Sequence, residues 1–422
     1  MNKFITKIGV AASSAAIVLS SLIVPALAVD IEVSGNGADS NNTVNYTQEN
    51  KVEVKQDNDA DISNDIDVDA DTGNNEANKN TGGDVSIDTG DASSNVTVNN
   101  AVNSNQAEVD ACCPGDVEVK ISGNGAKSDN DVTVKSKNSV KVDQDNDADI
   151  DNDIDVDLDT GDNEANRNTG GDVTVETGDA DSEVTVDNAA NANAAVVTPG
   201  GNGSGSFSVW ITGNGANSDN NVDLDLDSKV EVKQDNDADI SNDVDVDLDT
   251  GNNEANKNTG GDVTIDTGDA DSTVDVSNEA NVNWADVDSC GCVLDGSIKI
   301  ADNGADSDND VTLKLKSELK VDQDNDFDCG GKGGHHEGRG RHGKDNDCND
   351  IDVDLDTGDN EANKNTTHDG DPTVETGDAS SDVDVSNEAN SNKVGNVDLD
   401  GDDINIDINL EGLLALLLGL LD

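Results

Sequence analysis

One block of sequence occurs four times in this chain. The Asn-Gly steps that end at Gly37, Gly125, Gly215 and Gly304 lie 88, 90 and 89 residues apart, and Gln56, Gln144, Gln234 and Gln323 keep that spacing. A fixed period of this kind makes a chain an array, because each repeat buries its apolar face only against the next. The repeats run over 29–115, 116–200, 201–292 and 293–401, with Pro114, Pro199 and the Cys290-Gly291-Cys292 segment at their junctions. Residues 1–28 precede the array and 402–422 follow it.

Within a repeat the side chains alternate. From Val52 the even positions read Val52, Val54, Gln56, Asn58, Ala60, Ile62, Asn64, Ile66, Val68 and Ala70, whereas the odd positions over 51–71 are charged apart from Ser63. A period of two with one apolar or amide face and one charged face means β-strand. The second and third repeats carry the pattern over 140–158 and 230–248. A shorter likeness lies inside the long one. The triplet Asn36, Ala38, Asn42 returns 22 residues later as Asn58, Ala60, Asn64. At that offset Val44 falls on Ile66, Tyr46 on Val68, Val132 on Ile154, Leu224 on Val246 and Leu226 on Leu248. These observations predict an all-β fold, an elongated β-solenoid of strand-turn-strand units with three or four turns in each repeat. Layers would stack about 4.8 Å apart, and inward Asn would form amide ladders.

The N-x-A-x-x-x-N triplets, a Gln two residues before each of Asn58, Asn146 and Asn236, and the unit length resemble the curlin repeats of bacterial amyloid fibre subunits. The chain departs from that pattern in lacking Gly after Gln, in its final Asn and in its Asp content. The resemblance implies a self-assembling extracellular fibre used in adhesion or biofilm matrix.

Composition qualifies this. Lys3 and Lys7, the apolar run 8–24 and the Ala26-Leu27-Ala28 step form a secretory signal, with cleavage expected after Ala28. The form left has 22 basic and 93 acidic residues, which excludes nucleic acid as a natural partner. Low hydrophobicity with such charge favours disorder unless a pattern overrides it, as the alternation does here. Self-association is expected, with cell-surface or matrix polymers as further partners, and no transmembrane span in the secreted form.

Carboxylates are the most abundant chemistry. In the 22-residue stacking Asp223 lies over Asp245, Asp225 over Asp247 and Asp227 over Asp249, while Lys135 and Lys137 lie over Asp157 and Asp159. Stacked like charges repel by ~0.5 to 1 kcal/mol per pair in water. Diffuse Ca2+ on these six aspartates, or plain solvation, would relieve them; no EF-hand loop or tandem G-G-x-G-x-D nonapeptide is present. An acidic Ca-binding solenoid is therefore the alternative to a fibre. An ice-binding solenoid is a further one, though its flat Thr ladders are replaced here by Asp. No cofactor is required and no enzyme motif occurs.

The fourth repeat matches the third up to Asp328 and again from Asn349. Cys329 and Cys348 thus bracket an insertion over 330–347, and a disulfide closing that stem is expected. The insertion carries Lys332, His335, His336, Arg339, Arg341, His342 and Lys344, the expected basic island of the secreted form. The three histidines have donors for a transition metal, the cations suit an acidic neighbour, and a solvated loop needs neither. Pairing of Cys112, Cys113, Cys290 and Cys292 is open. In the tail, Ile404, Ile406, Ile408 and Leu410 alternate before an apolar run over 413–421 that is too short to cross a bilayer. It would cap the array, join a second copy or enter a membrane shallowly.

Overall fold

The computed structural model describes residues 4–14, 18–23, 29–111, 116–199, 206–287, 295–329, 348–367 and 371–395. Two strands, β1 (Phe4–Ser14) and β2 (Val18–Ile23), precede the first repeat. That repeat consists of β3 (Val29–Ser34), β4 (Asn41–Asp71), β5 (Val85–Asp88) and β6 (Ala92–Ala111). The second contains β7 (Val117–Ser122), β8 (Asp129–Asp159), β9 (Val173–Glu176) and β10 (Ala180–Pro199). The third contains β11 (Ser206–Thr212), β12 (Asp219–Asp249), β13 (Val263–Asp266) and β14 (Ala270–Val287). The fourth contains β15 (Asp295–Ala301), β16 (Asp308–Asp328), β17 (Asn349–Asp356), β18 (Thr373–Glu375) and β19 (Ala379–Val394).

Every strand pairs in parallel with its counterpart one repeat away, giving a β-solenoid in which one whole repeat is one layer. The ladder between β4 and β8 is unbroken from Asn41↔Asp129 to Asp71↔Asp159. The expected 22-residue turn does not occur: Val44 lies on Val132 rather than Ile66. The reason is visible locally. Residues 41–71 contain no Gly or Pro, so the strand has no corner at which to fold back; corners come only at the Gly-containing segments on either side. One of them, Gly161, could take no side chain, since a Cβ would sit 2.1 Å from the carbonyl oxygen of Gly251 in the next layer.

In cross-section each layer is two-walled. The long strand β4 forms one wall. β6 returns along the other, with Val96 and Val98 against Ile66 and Val68, and Val109 against Val54. Beyond the end of β6 the second wall is completed by β3, whose Ile31 and Val33 pack with Val44 and Tyr46. A tip formed by 72–91 has its own small core around Val85 and Ile87. The long strand spans roughly 100 Å at about 3.3 Å per residue, while four layers at about 4.8 Å occupy little more than 14 Å between the outer ones. The single chain is a broad, thin slab.

The even positions of β4 face inward as expected. The return strand is less regular. Asn103, Asn191, Asn281 and Asn390 have φ near +60° and interrupt the pairing, which switches the inward set from Asn100 and Val102 to Asn105 and Ala107. This is a bulge repeated in each layer, held where Asn103 Nδ2 donates to the Asp147 carbonyl at 2.5 Å.

Amide ladders run through the core at the whole-repeat spacing. Asn58 Nδ2 donates to Asn146 Oδ1 one layer on at 3.0 Å and to Asn105 Oδ1 across the layer at 2.9 Å. Asn64 donates to Asn152 at 2.7 Å, and Gln144 donates back to Gln56 at 2.6 Å. These core amides are thus matched along and across the stack, which removes the penalty of enclosing them.

Cys329 and Cys348 come together at disulfide distance, with Cα atoms 4.3 Å apart, so the stem of the insertion is closed. The Asn242↔Asn349 pairing resumes the ladder after it. The insertion with His335, His336 and His342, the cysteines Cys112, Cys113, Cys290 and Cys292, and the tail 402–422 lie outside the described residues. Among the described residues, no helix is long and apolar enough to cross a membrane. Residues 4–14 and 18–23, expected as part of the leader, pair with β6 from Phe4↔Ala92 to Ile23↔Asp110 and so cover its outer edge.

Candidate functional site

The outward face of the long wall carries the chemistry that distinguishes this chain. Since layers are whole repeats, each outward position makes a column through four layers. Over 47–55 three of the five columns alternate in sign, while those of Thr47 and Lys51 are interrupted by an uncharged residue. Glu49, Lys137, Asp227 and Lys316 form one, Glu53, Lys141, Glu231 and Lys320 another, and Lys55, Asp143, Lys233 and Asp322 a third. Along a strand the same face alternates as well: Lys51 Nζ lies 2.7 Å from Glu53 and Lys316 Nζ 3.1 Å from Glu318. Such exposed pairs contribute little singly, about 0 to 1 kcal/mol, but they decide which neighbours are tolerated.

Over 57–71 the columns are acidic apart from that of Ser63, Asp151 and Ser241. Asp57, Asp145, Asp235 and Asp324 stack, and so do Asp67, Asp155, Asp245 and Asp352, and Asp69, Asp157, Asp247 and Asp354. Crowding by the surrounding chain, and secondarily the carboxylates above and below, push Asp247 up to about 6. Partial burial raises Asp159 to about 7, against a backbone hydrogen bond from Gly161 that acts the other way. Asp155, Asp157, Asp243, Asp245 and Asp249 are raised too, with burial the leading cause in each.

The six aspartates expected to share cations are therefore separated. Asp245, Asp247 and Asp249 sit in acidic columns, on Asp155, Asp157 and Asp159. The other three do not lie over them. Asp223 faces Thr133 and Thr312, Asp225 faces Lys135 and Lys314, and Asp227 faces Lys137 and Lys316. The stacking repeat is the module, so residues 22 apart are side by side along one strand rather than one above another. Among the described residues, no group of three or more His, Cys, Asp or Glu side chains converges as a metal site would require.

The inserted loop is not the only basic feature of the secreted form, contrary to the sequence expectation. Lys79, Arg167, Lys257 and Lys364 stack at the tip through backbone bonds such as Lys79 N to Asn166 O at 2.9 Å. All four are exposed, with φ near +60°. Aligning whole repeats exposes this column; the 22-residue offset hides it.

The ends of the pile differ from its interior. Ile211 and Leu226 are 0% and 2% exposed in the third layer, while their counterparts Ile300 and Leu315 in the last are 46% and 52% exposed. Leu319, Val383, Val385 and Val394 are exposed there as well. No protein-family model, curated protein or solved structure matches the chain.

Proposed function

We propose that this is a secreted structural protein of the cell surface, whose copies stack end on end into a fibre serving adhesion or extracellular matrix. The observation that carries the reading is the open last layer. Among the described residues it offers unpaired parallel edges on β16 and β17, roughly 70 Å and 25 Å long, together with the apolar side chains that every inner layer buries. A protein meant to stay monomeric blunts such an edge; here Ile298, Ile300, Leu315 and Leu319 are left on it. Removal of the leader frees the edge of β6 at the opposite end. The curlin likeness, the leader and the disulfide-closed stem are consistent with export to an oxidising compartment.

The test is electron microscopy and fibre diffraction of the secreted form beginning at Val29. Ribbons with a repeat of about 4.8 Å along their axis are expected. Discrete particles of one chain at all concentrations overturn the reading.

A second reading, cation binding on the acidic columns, is favoured by the raised aspartates over 145–159 and 237–249. Ca2+ would relieve their mutual repulsion without a defined site. It is tested by whether Ca2+ raises the unfolding midpoint beyond NaCl at equal ionic strength.

A further inference from the structure

Resting on the fibre reading, we infer that the partner of the last layer is the first layer of a second copy, in the one strand register where Asp308 faces Asn41. Columns of alternating outward charge select that register.

The columns carry the argument because four is an even number of layers. A column that changes sign at each step begins and ends with opposite signs, so a second copy continues it without a mismatch. Extending the internal registers by one step places Lys316 on Glu49, Glu318 on Lys51, Lys320 on Glu53 and Asp322 on Lys55 of the next copy. A fifth contact arises in a different sheet. Its column reads Glu32, Lys120, Trp210 and Lys299, so Lys299 would meet the next Glu32. The chain already makes that contact internally, with Lys120 Nζ 3.1 Å from Glu32.

The uncharged positions agree. Asp308 and Asp310 would meet Asn41 and Thr43, where the third layer has Asp219 and Asn221. Asp382, Asp384 and Glu388 of β19 would meet Asn95, Thr97 and Ala101, because β6 carries no charge between Ala92 and Ala107. Inside the chain the equivalent step sets Asp275 on Asp384 and Glu279 on Glu388. Inward, Gln323 would lie on Gln56, Asn325 on Asn58 and Asn387 on Asn100, continuing the amide ladders. The acidic columns over 57–71 would stack acid on acid, as they do at each internal step. The junction between copies is thus no worse electrostatically than one the chain already makes.

Other registers are penalised. A slip of one residue turns the inward set outward. A slip of two keeps the faces but sets Lys316 on Lys51, Glu318 on Glu53, Lys320 on Lys55 and Asp322 on Asp57, turning four attractions into repulsions and removing the fifth, against one gained where Lys314 meets Glu49.

Two of the five contacts can be inverted without setting a like charge on the facing residue of the adjacent layer, although K51E also gives up the Lys51–Glu53 pair along its own strand. Lys51 faces Ser139 internally and Lys299 faces Trp210, 5.1 Å from the ring centre. The experiment is seeded elongation of the form beginning at Val29, comparing wild type with K51E/K299E. K127E/K257E is the control, carrying the same change of net charge in the second and third layers. At low salt the double variant should elongate about tenfold more slowly, with the deficit falling to about twofold near 1 M salt. The control should keep the wild-type rate, and circular dichroism of all three should agree. If the double variant loses its fold, K299E alone carries the test. Wild-type elongation by K51E/K299E, a deficit that salt does not narrow, or an equal deficit in the control overturns the register while leaving the fibre reading intact. Absence of wild-type filaments overturns both.

Discussion

Positions 47–55 and 57–71 of the long wall belong to the same strands, share one ladder and bury the same kind of inward residue, yet their outward chemistry is opposite. In the first, sign alternates between layers in the columns of Glu49, Glu53 and Lys55, so facing neighbours attract and a misplaced neighbour is repelled. In the second, acid lies on acid through the layers in every column but that of Ser63, so no register is preferred and each added layer adds repulsion. The shared inward face supplies cohesion. The difference teaches that the outer face is divided between a segment that specifies alignment and one that keeps the slab highly charged and soluble.

The largest effect should come from breaking what the two segments share. Asn152 accepts from Asn64 and Asn100 and donates to Asn242 and Asn188. Asn152→Leu strands those amides in the core and should cost about 2 to 4 kcal/mol in denaturant unfolding, since buried unsatisfied polar groups are expensive. A loss well under 1 kcal/mol would mean that the ladders contribute little to cohesion.

Next comes pH, which separates the segments by sign. Asp159 at about 7 and Asp247 at about 6 bind protons more tightly folded than unfolded, where Asp titrates near 3.9. Their contribution is therefore fully present below about pH 4 and is lost as pH rises through about 7. Glu53, Glu231 and Glu318 are held low by hydrogen bonds from lysine, so their smaller contribution disappears as pH falls past their folded values. The thermal midpoint should rise by roughly 5 °C from about pH 7.5 to about pH 4.5. A midpoint that falls on acidification over that range would contradict the acidic columns.

A smaller, sharper contrast comes from paired substitutions. Asp225 and Asp227 lie between lysines, whereas Asp245 and Asp247 lie between aspartates. D225N/D227N should lose about 0.5 to 1 kcal/mol and D245N/D247N should gain about as much, measured by denaturant unfolding at low salt. The gain should come with a weaker response to Ca2+. Equal signs for the two variants would dissolve the division of the wall.

The smallest effect is expected outside both segments. Deleting 330–347 joins the ends of a stem already closed at a Cα distance of 4.3 Å, and the three other layers have no such insertion. The midpoint should move by no more than about 2 °C, and a collapse of the fold would show that the insertion supports the last layer.

Much of this was legible in the amino-acid order alone. The strand type, the inward residues Val52 to Ala70, the repeat length and the Cys329 to Cys348 stem follow from period-two alternation and self-alignment, which are local properties. Which of two periods stacks was decided by the tertiary structure. The 22-residue likeness and the repeat of 88 to 90 residues both place apolar on apolar, and alternation ranks them equally, although the lack of Gly or Pro over 41–71 already argues against a corner there. Only the uninterrupted strand from Asn41 to Asp71, with nowhere to turn and a whole partner strand beside it, selects the longer one. With that choice Asp225 gained two lysine neighbours, Asp247 gained two aspartates, and Lys79, Arg167, Lys257 and Lys364 came into one column. A charge's neighbours across a sheet are set by register, and register is a property of the assembled ladder.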